Sequence, residues 1–207
     1  MLKRTKGRFL LTLLVVTGFA GTVNNTAPTK QERRQAMDLL KGSKADLQKE
    51  IKGLSPSQLD FKPSPADLSI RECFFHIAAA EEKSWKYIDS AMKLPSRPEQ
   101  RTKLQLTDKE ILDKISDTSE EIEAAGQLPP PKSEWKDMND AQAAFKSARM
   151  QHLKYIKNTT EDLRNHFIEL PFGMVDCYQY FLFIGAHSDR HHDQIRQIIS
   201  HPHFPKK

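Results

Sequence analysis

Four long stretches of this chain carry apolar residues at three- and four-residue steps, and none sustains the period-two alternation of a half-buried strand. That pattern predicts an all-α protein built from amphipathic helices. The first helix is read over residues 31–53, where Ala36, Leu39, Leu40, Leu47 and Ile51 recur among charged neighbours, with Leu54 just beyond. Pro56, Pro63 and Pro65 then break the spacing and mark a loop reaching Asp67. Ser69 and Glu72 form a Ser-x-x-Glu capping box, opening a second helix that runs to about Leu94. After a linker over 95–106, Thr107 and Glu110 repeat the capping signal and open a short acidic helix to about Ala125. Gly126 and the run Pro129, Pro130, Pro131 end it. A third long helix fits Asn139 to about His166, with Phe145, Ala148, Leu153, Ile156 and Leu163 as core candidates. Leu170, Pro171, Phe172 and Gly173 make a turn, and a fourth long helix follows from about Val175 to Ser200. The expected architecture is a four-helix bundle with a short extra helix inserted between the second and third long helices. That insertion, with its proline-rich flanks, is expected to lie outside the core.

The N-terminus reads differently. Lys3, Arg4, Lys6 and Arg8 precede an almost wholly apolar run from Phe9 to Gly21, with Gly18 and Ala20 in a small-x-small pattern. The run is short for a membrane span, and polar residues follow at once. The organisation expected is a secretory leader over 1–20, a polar linker over 21–30 and one domain over 31–207. The mature chain is then periplasmic or extracellular, with no stable membrane insertion. Removing the four leader charges from the formal +5 leaves +1, so no basic excess remains to attract nucleic acid. Cys73 sits one turn before His76, and Cys177 lies ten residues before His187, about 15 Å along a helix. If the two histidines meet, the thiols stand at different heights, so two buried free thiols are expected.

The fourth long helix carries the sharpest chemical signal. Tyr180, Ile184, His187, His191, Ile195 and Ile198 fall on one stripe, and its apolar members make it the buried one. His187 and His191 are four residues apart, the spacing at which two imidazoles on one helix can hold one ion. His76 occupies a comparable position on the second helix, in line with Cys73, Ile77, Ala80, Tyr87 and Ile88. Three imidazoles from two helices leave coordination positions open, as catalytic sites do. His192 lies about 100° from the stripe. His152 and His166 have no partner at ligand spacing, and His201 and His203 sit in a proline-rich tail.

The segment LSIRECFFHIAAAEEKSW resembles the second-helix pattern of DinB-like proteins, and PFGMVDCYQYFLFIGAHSDRHHDQIRQI resembles their last helix more closely still. The closing HPHFPKK is similar to tails of that family. The resemblance covers roughly residues 31–207 and implies a four-helix bundle holding a divalent metal, zinc or nickel, on His76, His187 and His191. Arg190 and Gln194 match flanking positions. His192 departs from the common pattern, which has an apolar residue there. A homodimer is the assembly the resemblance implies.

Some relatives in that family are thiol transferases and some are isomerases, and the segments quoted select none of these. Export separates the chain from cytosolic thiol pools, which favours a metal-dependent hydrolase acting on a small-molecule substrate. The alternative is a non-catalytic module stabilised by its ion. Glu81, Tyr180, Arg190 and Gln194 are the candidate helpers around the metal. Glu81, five residues past His76, is expected on a solvated face pointing partly away. Arg190 is expected at the surface or beside an imidazole.

Overall fold

The computed structural model describes residues 27–116 and 135–206. The predicted leader and the second half of the predicted acidic helix lie outside those residues. The described chain forms α1 (Lys30–Glu50), α2 (Pro56–Leu59), α3 (Ile70–Met92), α4 (Asp108–Ser116), α5 (Met138–Asn158) and α6 (Cys177–Ile199), with a hairpin of β1 (Phe167–Leu170) and β2 (Gly173–Asp176) before α6. Both predicted capping boxes form: Ser69 with Glu72 opens α3, and Thr107 with Glu110 opens α4. Three others pair Thr29 with Glu32 at α1, Ser55 with Gln58 at α2 and Asp176 with Gln179 at α6. Each box satisfies backbone N–H groups that a helix start otherwise leaves bare.

Helix α1 borders α5 and α6, and α3 borders the same two. So α1 and α3 stand diagonally opposite each other, as do α5 and α6. The link from α5 to α6 therefore crosses the end of the bundle, and the hairpin occupies it.

Three expectations change. Helix α5 stops at Asn158 rather than near His166. Thr159 turns extended, its hydroxyl accepts from the Glu161 N–H, and the Arg33 guanidinium takes the carbonyls of Ile156 and Thr159. Side-chain bonds of this kind offer the backbone an alternative to another helical turn. Second, a sheet exists, though only a two-stranded one. Its strands are four residues long, too short to show an alternation. Gly173 opens β2 at φ 126°, a conformation other residues rarely adopt. Third, α4 packs on α6 and is not an outlying insertion: Ile111 and Ile115 are fully buried in the core.

The core falls into two apolar clusters. One contains Leu40, Ile88, Leu153, Ile156, Phe181 and Ile184; the other contains Leu47, Phe74, Ile77, Phe145 and Ile195. On every long helix a polar residue stands between them: Ser43 on α1, Glu81 on α3, Arg149 on α5, and His187 with Ser188 on α6. A polar layer thus cuts across the middle of the bundle, where a helix normally presents Leu or Ile.

Candidate metal centre

His76 reaches the polar layer from α3, and His187 and His191 reach it from successive turns of α6. Their Nε2 atoms converge: His76 to His187 is 3.3 Å and His191 to His187 is 3.2 Å. A zinc ion with Zn–N bonds near 2.0–2.1 Å and tetrahedral geometry needs its nitrogens roughly 3.3 Å apart. Both pairs that include His187 therefore stand at the separation one ion bridges, and all three ligand atoms lie within 4.8 Å of one another. Among the described residues these three form the cluster able to hold a metal, with no fourth His, Cys, Asp or Glu completing it. That leaves positions for exchangeable ligands.

Protonation suits the same role. Burial pushes the pKa of all three imidazoles down. Lys83 lowers His76 further, and the other two rings lower His187. His191 falls to about 4, through burial and then His76. At neutral pH the rings are uncharged and can offer lone pairs. Gln194 fixes which nitrogen does so, since its Oε1 lies 3.0 Å from His191 Nδ1. An amide oxygen only accepts, so the proton sits on Nδ1 and the Nε2 lone pair faces the cluster.

The other predicted helpers divide. The positive charge of Arg190, half-buried on α6, depresses both His187 and His191. Tyr180 does not touch the cluster directly. It stacks on Phe183, which stacks on His187, with ring centroids 5.5 and 5.6 Å apart, so it supports the imidazole through one intervening ring. Glu81 overturns its expectation: it is 2% exposed and bonded to Arg149 through both oxygens, at 2.6 and 2.7 Å. His152 Nδ1 adds a contact at 2.7 Å. Burial alone would raise the Glu81 carboxyl, but the Arg149 charge and these hydrogen bonds hold it below the usual carboxylate range.

His192 turns aside to Glu50 at 3.2 Å, which leaves His191 as the second α6 imidazole in the cluster. His166 Nδ1 lies 3.0 Å from the Ala91 carbonyl, a structural contact. Cys73 and Cys177 are buried free thiols, as expected.

Arg149 and Ser188 escaped the sequence reading. The available signal was position: Arg149 shares a stripe with Phe145, His152 and Ile156. A charge on an apolar stripe marks either a break in the stripe or a buried ion pair, and here it marks the pair.

No curated protein matches the chain. The solved structure of YfiT from Bacillus subtilis, described as a probable metal-dependent hydrolase with an unusual four-helix bundle topology, is similar at a TM-score of 0.56. The match covers 84% of this chain and 89% of that one at 12% identity, a likeness that shows the shared fold. The sequence model of the DinB superfamily matches residues 39–195, most of the chain. The chain belongs to the DinB superfamily.

Proposed function

We propose that this protein is a metal-dependent hydrolase that works outside the cytoplasm, holding one zinc or nickel ion on His76, His187 and His191. The observation that carries the reading is the convergence of three neutral imidazoles, His187 buried and His76 and His191 partly so, with Nε2 of both at 3.2–3.3 Å from His187 Nε2 and no fourth protein ligand among the described residues. A structural ion is normally enclosed by four protein ligands, whereas three leave room for a reactant. The description of YfiT as a probable metal-dependent hydrolase points the same way.

A divalent cation at such a site supplies Lewis acidity, which polarises a carbonyl and acidifies water. The chain's own residues prepare for it. Gln194 orients His191, the Phe183 ring braces His187, and burial keeps all three imidazoles unprotonated. Glu81 is committed to Arg149 and His152 and is not free to act as a base. Hydrolysis is preferred to thiol transfer because a secretory leader over residues 1–20, as the sequence leads us to expect, would carry the chain away from cytosolic thiols. The substrate is a small molecule, and the protein acts as a homodimer.

The test is elemental analysis of the purified protein beside a variant with His76, His187 and His191 changed to Ala, followed by a screen of ester, amide and phosphoester substrates. One equivalent of a divalent ion, absent from the variant, with metal-dependent turnover supports the proposal. A bound ion that raises the melting temperature but turns over no substrate class would favour the stabilised binding module. Absence of any ion after reconstitution would end the metal reading.

A further inference from the structure

We propose that Arg149 is a positioning residue for the metal centre: its guanidinium holds α3 and α6 in the register that brings His76, His187 and His191 to one point. This rests on the metal reading of that cluster.

Arg149 is fully buried, and all five of its N–H groups are used. Nε and Nη2 donate to the two Glu81 oxygens on α3. Nη1 donates to the Leu40 carbonyl at 2.8 Å and the Ser43 hydroxyl at 2.7 Å, both on α1. Nη2 also donates to the Ser188 hydroxyl at 2.7 Å on α6, and that hydroxyl donates onward to the Ile184 carbonyl. One planar group therefore ties its own helix to the other three and spans both diagonals of the bundle.

The acceptors sit where they can set ligand geometry. Ser188 directly follows His187, about 100° around α6, and Glu81 follows His76 by five residues, about 140° around α3 and 7.5 Å along it. Each ligand-bearing helix is gripped on one face while it presents imidazole from another. A one-residue slip would move a side chain by about 1.5 Å and turn it by about 100°. Metal–ligand distances tolerate only about 0.2 Å. Charge-assisted bonds in a fixed fork resist both slip and rotation. A lysine, a point charge on a flexible stem, cannot reach the same acceptors in one plane.

The test compares Co(II) binding in wild type, Arg149→Lys, Ser188→Ala and the double variant Glu81→Leu/Arg149→Met, by chelator competition and by the visible d–d band. The double variant removes both charges together, so no uncompensated ion is left in the core. It is expected to keep wild-type helicity while its Co(II) affinity falls about 10- to 100-fold and its d–d band changes shape. Arg149→Lys keeps the charge and is expected to leave the affinity unrescued. A folded double variant with wild-type affinity and band would overturn the proposal. If the double variant does not fold, Ser188→Ala decides, since it leaves the Glu81 pair intact. A fall of about 3- to 10-fold supports positioning, and no change refutes it. Wild-type protein that takes up no Co(II) fails the metal reading and this role with it; that outcome is separable because it shows before any variant is compared.

Discussion

Gly185 is two residues before His187, on the part of α6 that faces Leu39 of α1. A Cβ placed there would lie 2.5 Å from Leu39 Cγ and 2.8 Å from its Cδ2. Carbon atoms in ordinary contact sit about 3.5–4.0 Å apart, so Gly185→Ala must either move the helices by about 1 Å or force Leu39 into another rotamer. Overpacking of that kind costs about 1–3 kcal/mol. Replacing an interior helical Gly by Ala returns about 1 kcal/mol of intrinsic propensity. The expected result is a net loss of about 1 kcal/mol, or roughly 2–4 °C in melting temperature for a chain of this size. Gly42, on α1, is the matched control: nothing lies within 4 Å of a Cβ there, so Gly42→Ala is expected to stabilise by about 0.5–1 kcal/mol. Urea unfolding followed by circular dichroism measures both. Leu39→Ala in the Gly185→Ala background is expected to recover part of the loss, with a coupling of at least about 0.5 kcal/mol. If Gly185→Ala stabilises as much as Gly42→Ala, the α1–α6 contact does not depend on the missing methyl, and the close-approach reasoning is wrong.

Three further outcomes are expected. His192→Ala leaves metal uptake unchanged, because its ring is turned to Glu50, whereas Gln194→Ala weakens uptake about 10-fold by freeing His191 Nδ1; chelator competition reads both, and the reverse ranking would place the ligand at 192. Cys73 and Cys177, whose thiols burial first and a neighbouring carboxylate second push up to about 12, stay unmodified by Ellman's reagent in the native protein and react only on denaturation; rapid native labelling would contradict their burial. Arg164 bonds Glu32, Asp108 and Asp176. Burial alone would raise Glu32 and Asp108, but hydrogen bonds outweigh it, chiefly from Arg164 at Asp108 and from the Thr29 backbone and Arg164 at Glu32, so both fold with lowered values. The stability they contribute is complete above about pH 4.5 and is lost as pH falls through the folded-state values. Urea midpoints from pH 7 to 3 are therefore expected to fall less steeply in Arg164→Gln than in wild type, and an equal slope would remove Arg164 as the cause.

Much of the architecture was legible because it rests on local signals. The Ser69–Glu72 and Thr107–Glu110 boxes place helix starts through bonds between residues three apart, and His187 with His191 sits on a stripe visible from apolar neighbours alone. The misreadings share another character. Glu81 was expected in solvent because it is rotated about 140° from His76. Yet α3 touches α5 as well as α6, so two of its faces are interior, and periodicity cannot count a helix's neighbours. Arg149 was passed over because a stripe drawn from apolar residues excludes the charge that completes it. The early end of α5 depends on Arg33, 123 residues away from Ile156, which no local pattern reports.

The pairing of α1 with α6 also bears on how the chain acquires its structure. The Tyr178 hydroxyl on α6 bonds the Glu32 carbonyl on α1, 146 residues apart. Helix α6 also contributes residues to both apolar clusters. Contacts this distant in sequence must close a large loop before they return any free energy, which slows folding relative to bundles of sequential hairpins. During synthesis the segments up to α5 can form helices but have no partner for the face that α6 will cover. Two of the three imidazoles arrive on that same helix, so the three-His cluster is complete only once α6 has docked against α3.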